Sequence, residues 1–377
     1  MDNFKIRASW GRLGNNGIGN YDWQNVYSPA NTAFGDVIQQ GVWTTAIANR
    51  DISWEKTDVV DLGLDVNLFG SLSLTFDYYN KLTHGILYRN PIPYVNGGLG
   101  APMINSAKVR NRGFEFSASY NKNFGDLGFS VSVNGAYNRN EIIDYKGDYL
   151  ETNGATVWTE GQPIGKFYIR EVDHIVQDKA EIDKLVSEGW TFSPSRPEPG
   201  DFLYKDLNND KRIDDKDRVL KGQPLPLFTF GGSIAFSYKN FDFSALFTGV
   251  AGWDRYLSTG IFSLTNAETE RLFLKKFQNQ WSETNRNTNI PKLYASNEKN
   301  NQVSDYYLYD ASFLRLKTLQ LGYTLPKNLI PKVRIRAYCN LENYFTITSY
   351  PGMDPEMNGD VGYPILKTVS LGVNIKF

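Results

Sequence analysis

Apolar and polar residues alternate with a period of two in about ten stretches of this chain. The clearest stretches are Val60–Leu68, Leu72–Tyr78, Phe228–Tyr238 and Val369–Phe377. Successive side chains of a strand point to opposite faces, so this period predicts strands with one apolar and one polar face. The predicted fold class is therefore all-β, an antiparallel sheet of about ten long strands.

Strand length and loop length indicate which solvent surrounds these strands, because a soluble sandwich or a lipocalin-like barrel would also alternate. The runs are about 9–14 residues long, whereas strands of soluble proteins usually have about 5–6 residues. The connections alternate between short turns and long loops, as they do in outer-membrane barrels. A transmembrane β-barrel is therefore predicted. The short turns are expected near 70–71, 123–127, 239–240 and 326–332, and the long loops near 14–54, 90–110, 144–226, 254–310 and 346–366.

The two faces of each strand are assigned from the requirement that every backbone polar group inside a bilayer is paired. The apolar face then contacts lipid, and the polar face, with Asp61, Asp65 and Arg336, faces a hydrated lumen. Many apolar runs end in Tyr or Phe, which is typical of an interfacial aromatic girdle. Cys339 belongs to the apolar set, where it is expected to act as a small hydrophobe.

Composition excludes several function classes. Lys and Arg number 40 against 41 Asp and Glu, so the chain lacks the basic surplus of a nucleic-acid binder. A single Cys excludes an internal disulfide framework. The two His residues have no Ser or Cys partner in a recognisable arrangement, so no enzymatic activity is expected.

Specific strings follow one another along nearly the whole chain. Together they resemble the C-terminal barrel half of SusC/RagA-type TonB-dependent outer-membrane transporters, including a last strand that ends on Phe377. The strings are Phe4–Gly11, Gly14–Ile18, Trp54–Thr57, Arg112–Phe116, Gly161–Tyr168, Gly200–Asp210, Ser312–Tyr323, Gly352–Glu356 and Tyr363–Pro364.

This resemblance implies that residues 1–377 form the C-terminal part of a TonB-dependent receptor barrel, with 144–226 as a long external loop region that contains an Asp-rich segment. It implies the cell outer membrane of a Bacteroidetes-type bacterium, with lipid around the strands. It further implies TonB-dependent import of oligosaccharides or peptides, and a SusD-like lipoprotein over the external loops.

The expected size of a family barrel exceeds this chain. At the strand spacing seen here, a barrel of about 22 strands needs roughly 830 residues. The chain also opens on a strand-like run without a cleavable signal. We therefore expect the plug, the TonB contact and the N-terminal strands to lie outside this sequence. Two alternatives stay open: a transport-incompetent barrel fragment that binds ligand or metal, and a siderophore-type receptor.

A twelve-residue acidic segment is the sharpest local motif. Its potential ligands stand at positions 1, 3, 5, 7, 9 and 12, the spacing by which a loop surrounds Ca²⁺. Lys211 replaces the usual Gly at position 6, and the last ligand is Asp where Glu is usual. We expect a structural Ca²⁺ here, and the alternative is a solvated acidic turn. The ligand set is Asp206, Asn208, Asp210, Arg212 (through its carbonyl), Asp214 and Asp217.

Aromatic residues in the long loops are candidates for substrate contact, because their faces can stack on sugars or grip peptides. Trp43, Trp158, Trp190 and Trp253 represent this group, and the alternative is packing at the barrel rim. Segments 179–188 and 267–282 are predicted as short external helices.

Overall fold

Ten long strands form one antiparallel sheet in the computed structural model. The structure describes residues 1–89, 92, 95, 99–145, 150–152, 154–264, 274–294, 299–326, 328–329, 332–357 and 362–377. The strands are β1 (Asn3–Asn15), β2 (Glu55–Leu68), β3 (Leu72–Arg89), β4 (Met103–Phe124), β5 (Leu127–Tyr145), β6 (Phe228–Tyr238), β7 (Phe241–Ala251), β8 (Phe313–Thr324), β9 (Arg334–Thr348) and β10 (Thr368–Lys376).

Each strand of the sheet pairs with the next one along the chain, so the order is β1 to β10 without a crossover. Within the described residues, β1 pairs only with β2, and β10 pairs only with β9. The all-β prediction and the predicted number of strands are confirmed.

The connections follow the predicted parity. Short turns at 69–71, 125–126, 239–240 and 325–333 lie at one end of the sheet, and the longer connections at 16–54, 90–102, 146–227, 252–312 and 349–367 lie at the other. Phe69 and Gly70 both have positive φ, 57° and 60°. A tight turn with two left-handed residues matches the twist of the flanking strands, which accounts for glycine at position 70.

Strands β3, β4 and β5 have 18, 22 and 19 residues, so the predicted length of 9–14 residues is wrong for them. Their extra length continues past the apolar belt into the loop layer. There Ala107, Val109, Ile142 and Tyr145 are buried, and the partly buried Trp158 packs against them. Burial under a loop allows the hydrogen-bond ladder to continue beyond the membrane. The period of two does not show which strand ends a loop will cover.

One face of the sheet carries the apolar set. Strand register places Leu62, Tyr78, Phe114, Tyr137 and Phe228 in one lateral row. Within this row the rings of Phe114 and Tyr137 stack, with 5.4 Å between their centroids. These aromatic rings match an interfacial girdle. On the same face, Cys339 lies between Leu321 and Leu371, as expected for the lipid-facing set.

The other face is polar, and its charges are paired across strands. The Nε atom of Arg7 lies 2.9 Å from Asp65, and its Nη2 atom lies 2.8 Å from Asp77. On the same face, Arg336 of β9 forms an ion pair with Asp242 of β7. Opposite charges on neighbouring strands stabilise the sheet. The predicted inward orientation of Asp65 and Arg336 agrees with these contacts.

The long loops contain secondary structure of their own. Helix α1 (Lys179–Ser187) confirms the predicted helix at 179–188, and its N-cap Asp178 accepts a hydrogen bond from the Glu181 backbone N–H. Of the predicted helix at 267–282, residues 267–273 lie outside the described residues, and the remainder contains a 3₁₀ turn, Lys275–Asn279. No helix in the described parts of the chain is long and apolar enough to cross a membrane.

Short strands and 3₁₀ turns make up the rest of the loop layer. The strands are Tyr27–Phe34, Val37–Thr44, Leu150–Thr152, Thr156–Trp158, Lys166–Arg170, Val172–Ile175, Thr191–Phe192, Phe202–Tyr204, Arg212–Ile213, Arg218–Lys221, Asp254–Tyr256 and Leu308–Asp310. The other 3₁₀ turns are Asp215–Asp217, Gly260–Phe262 and Asp305–Tyr307.

The largest hydrophobic core lies in this loop layer and not in the sheet. Val176, Ile182 and Phe202 from the 146–227 connection pack with Phe277 and Tyr307 from the 252–312 connection. The apolar side chains of the sheet face outward, so they do not form a packed interior. The packed interior is formed by apolar side chains of the loops. The two longest connections therefore form one packed extramembrane layer.

A pair of neighbouring residues on β5 tests the assignment of the two faces. Val133 lies on the apolar face and Asn134 on the polar face. We expect Val133→Arg to lower the free energy of unfolding in a bilayer by about 2–4 kcal/mol, because it places a cation at mid-membrane depth. Asn134→Arg is expected to change it little. Urea unfolding in lipid vesicles measures both, and a larger loss for Asn134→Arg would reverse the face assignment.

Candidate substrate-facing site

A polar cavity of about 580 Å³ lies on the inner face of the sheet. Asp77, Glu115, Asn134, Thr229 and Thr248 are among its lining residues, and they come from five neighbouring strands, β3 to β7. Its hydroxyl, amide and carboxylate groups are suited to hydrogen bonding with a polar solute.

Two carboxylates give this cavity its charge. Asp77 and Glu115 are directly opposite each other on β3 and β4, and like charges in that arrangement repel. Arg7 offsets the repulsion, because its guanidinium lies 2.8 Å from Asp77. Glu115 is left as the carboxylate that faces the cavity with a high exposed fraction. A solute with hydroxyl or N–H donors would find acceptors here.

Arg315 fixes a loop to the top of the sheet. This β8 side chain is only 1% exposed, and its two terminal nitrogens lie 2.6 Å from Asp354 and 2.7 Å from Glu356. Its Nε atom donates a hydrogen bond to Thr346. Arg315 belongs to one of the family-like strings and both carboxylates belong to another, so two distant strings meet in one buried ion-pair cluster.

A second ionic cluster ties the two largest loops together. The Lys221 ammonium lies 2.8 Å from Glu171 and 2.8 Å from Asp305. Lys205 also lies 3.0 Å from Glu171. Hydrogen bonds from Lys221 and Lys205 hold the pKa of the Glu171 carboxyl below its usual range. Glu171 therefore stays ionised, and Lys221 joins the two loops through its contact with Asp305.

Asp201, in the string Gly200–Asp210, is a buried carboxylate with a structural role. Asp201 is fully buried and accepts hydrogen bonds from the Asn300 side chain and from the Glu198 backbone N–H. Asn300 in turn accepts a hydrogen bond from the backbone N–H of Phe202. These contacts join 146–227 to 252–312 beside the core described above.

The predicted calcium loop is ordered by its own hydrogen bonds. Asp206 accepts from the Lys211 backbone N–H at 2.9 Å, and Asp217 accepts from the backbone N–H groups of Leu207 and Asp214. Lys211 adopts a φ of 61°, so the residue at position 6 takes the left-handed turn without being glycine. One expected obstacle to the loop geometry is thereby absent.

The oxygen atoms at positions 3 and 5 also bond within the loop. Asn208 accepts from the Asp210 backbone N–H, and Asp210 accepts from the Arg212 backbone N–H. Within the described residues, no three His, Cys, Asp or Glu side chains gather closely enough to hold a metal ion. Calcium binding by this loop stays a prediction.

The four predicted substrate-binding tryptophans do not share one site. Trp158 and Trp190 pack against two different buried clusters, and Trp253 packs against a third. Trp253 also donates its indole N–H to the Pro224 carbonyl. Trp43 lies on the hairpin strand Val37–Thr44 and is exposed. Substrate contact by these residues stays a prediction, with a packing role visible for three of them.

Sequence reasoning missed the lumen cavity, although its signal was present. Asp77, Glu115 and Thr229 occupy inward positions of alternating strands, and all are polar. Their common lateral row depends on strand register, which the alternation alone does not give. The role of Arg315 was missed for a similar reason, because its partner Asp354 lies 39 residues away in the sequence.

Comparison with known proteins agrees with this architecture. Residues 1–343 match the family described as TonB dependent receptor-like, beta-barrel. The chain belongs to this family. TonB-dependent receptor P3 of Formosa agariphila is 33% identical, over 99% of this chain and 39% of the relative. TonB-dependent receptor SusC of Bacteroides thetaiotaomicron is 28% identical, over 100% of this chain and 38% of the relative.

Solved structures place the chain within the family more closely. The RagAB peptide transporter superposes with a TM-score of 0.78 at 28% identity, over 98% of this chain and 40% of that chain. The RagAB peptide importer in its open-open state gives 0.77 over 100% of this chain. The chain is therefore a SusC/RagA-type barrel segment, and it spans about two fifths of the relatives it matches.

Removal of Arg315 tests the anchoring cluster. We expect Arg315→Met to destabilise the protein by about 3 kcal/mol, because it leaves two carboxylates without their cation. Lys317→Met, on the same strand, removes the same charge from a half-buried site and serves as the control. Denaturant unfolding followed by tryptophan fluorescence measures the loss, and limited proteolysis reports release of 349–367. Equal effects of the two substitutions would contradict the anchoring role.

Calcium addition tests the acidic loop. A site that binds Ca²⁺ only in the folded state stabilises it by about 2.7 kcal/mol at one hundred times Kd. We expect CaCl₂ to raise the Tm of the EDTA-treated protein, and Asp206→Asn with Asp210→Asn to abolish that rise. Asp173→Asn, in the same loop, is the control. If the double variant responds to CaCl₂ like the original protein, the calcium prediction is wrong.

Proposed function

We propose that the protein takes part in TonB-dependent import of oligosaccharides or peptides across the outer membrane, as part of the barrel wall of a SusC/RagA-type receptor. In this role the chain contributes a hydrated inner wall and a folded external loop layer. The proposed activity is passage of a polar solute, with no bond made or broken by the chain.

The polar cavity of the inner wall is the observation that carries this proposal. Its lining offers acceptors at Asp77 and Glu115, and hydroxyl or amide groups at Thr229, Thr248 and Asn134. Such groups form many weak hydrogen bonds with sugar hydroxyls or peptide N–H groups. Weak binding at many points suits a surface that must release its solute. The stacked rings of the aromatic row lie on the opposite face of the same strands.

The substrate class and energy source rest on the relatives. The structural neighbour is named a peptide transporter, and the curated relatives are named TonB-dependent receptors. Both substrate classes expose hydroxyl or amide groups that match the polar wall. We therefore keep oligosaccharides and peptides together as the proposed substrate class.

A SusD-like lipoprotein is the proposed partner at the loop end. The hairpin of Tyr27–Phe34 and Val37–Thr44 exposes apolar side chains on both strands. Phe34, Ile38 and Val42 are exposed by 72%, 72% and 73%. An apolar surface of this kind marks an interaction site. Its position on a long connection is compatible with a lid that closes from the external side.

Uptake measurements test the proposed function. The complete gene is deleted and restored, and accumulation of fluorescent oligosaccharides and peptides is measured. We expect Asn134→Trp, which fills the inner cavity, to lower uptake by at least about fivefold, since pore dimensions control passage. Val133→Trp on the lipid-facing side is the control. Both variants are compared at equal surface level.

Three outcomes would contradict the proposal: uptake that survives deletion of the gene, uptake that continues after TonB is removed, and an equal fall in both tryptophan variants. The first would indicate another transporter, and the second passive diffusion. The third would show that the inner wall is not the path of the solute.

A further inference from the structure

The outward face carries a group of basic residues directly above its aromatic row. This basic patch consists of Lys108, Arg110 and Arg112 on β4 and Arg139 on β5. Arg112 is directly opposite Arg139, and the next outward pair toward the short-turn end is Phe114 and Tyr137. Since residues two apart share a face, the arginines continue the lipid-facing side of the sheet.

The charge of the basic patch is only partly neutralised by the protein. Lys108 lies 3.2 Å from Asp144, and Arg112 lies 3.8 Å from Glu141. Within the described residues, Arg110 and Arg139 form no ion pair, and the Nε atom of Arg110 is buried without a hydrogen-bond partner. Four cations and two carboxylates leave a charge of +2, on a chain whose net charge is −1.

Two arginines that directly oppose each other on neighbouring strands repel in the absence of an anion. The Arg112–Arg139 pair has this arrangement, and Arg139 is exposed. An anion between the two guanidinium groups would remove the repulsion. Guanidinium groups bind phosphate oxygens through paired N–H donors, so phosphate is the anion that suits this pair best.

The height of the basic patch on the sheet identifies the source of the phosphate. The apolar outward positions of β5 extend from Leu127 to Tyr137. Ten residue steps of about 3.4 Å, tilted by about 45°, span roughly 24 Å, which matches the apolar band of an outer-membrane barrel. Arg139 therefore lies just beyond the hydrocarbon, at the long-loop end, where lipid headgroups are located.

We propose that the basic patch binds the phosphate-bearing headgroup of an outer-leaflet lipid. A lipid is favoured over a soluble anion because the site continues directly into the apolar belt. A phosphate held by Arg112 and Arg139 leaves its acyl chains beside Phe114 and Tyr137. The site would hold an annular lipid in place and fix the height of the barrel in the membrane.

Native mass spectrometry tests this proposal on the protein purified from its complete gene. The probe is diphosphoryl lipid A, compared with the same lipid after removal of its phosphates and with inorganic phosphate. The variant is Arg110→Gln with Arg112→Gln and Arg139→Gln. Its control is Lys122→Gln with Lys239→Gln and Lys332→Gln, which removes three charges at the short-turn end.

We expect the arginine variant to bind diphosphoryl lipid A about 100-fold more weakly, since each basic residue near an anionic surface contributes about fivefold. We expect the control variant to bind diphosphoryl lipid A as tightly as the original protein does. We expect the dephosphorylated lipid to bind the original protein only weakly. Equal binding by the arginine variant and its control overturns the proposal. So does equal binding of the two lipids, or binding of inorganic phosphate as tight as that of the lipid.

A single-site series keeps the proposal open to refutation if the triple variant does not fold. Arg139 is exposed and makes no ion pair within the described residues, so its substitution leaves the fold intact. We expect Arg139→Glu to lose lipid affinity and Arg139→Lys to retain most of it. If the two variants bind the phosphorylated lipid equally well, the charge of the patch does not recognise the headgroup.

Discussion

The pairing of backbone N–H and C=O groups between neighbouring strands is the constraint on which the rest of this structure depends. Hydrocarbon offers these groups no other partner, so each strand of the sheet must continue its ladder across the whole membrane. That requirement produces long strands, short turns at one end and a strict separation of faces. Aromatic rings such as Phe114 and Tyr137 then line the lipid side, while Arg7 and Asp65 pair on the other.

Outside the membrane, a different balance of forces holds the chain. Water pairs with exposed backbone there, so the long connections fold by burial of apolar side chains around Ile182 and Tyr307. Ionic contacts then fix the loops to each other and to the sheet, through Lys221 in one cluster and Arg315 in the other. The two layers meet where β3 to β5 extend past the belt and are covered by Trp158. A packed loop layer above a polar wall is the arrangement on which the proposed role in import rests.

Predictions from the sequence succeeded where a local pattern had one physical reading. The period of two gave strands, faces and loop parity, and the lipid-facing position of Cys339 followed from it. Strand lengths were underestimated, because the ends of β4 and β5 are stabilised by burial of Val109 and Ile142 under a distant loop. The loop tryptophans were grouped as one kind of site, yet each of Trp158, Trp190 and Trp253 packs on a separate cluster.

The sequence by itself determined which residues share a face of each strand, since the side-chain alternation is set residue by residue and needs no contact with another strand. The acidic loop and the family-like strings were also recognisable in the sequence, but the sequence did not show where they lie in space. Tertiary structure alone decided which distant residues contact each other. Strand register places Asp77 opposite Glu115 and Arg112 opposite Arg139. Arg315 reaches Asp354 because the loop segment that carries Asp354 packs on β8. The two strand contacts depend on where each strand starts its ladder, and a one-residue shift would remove both.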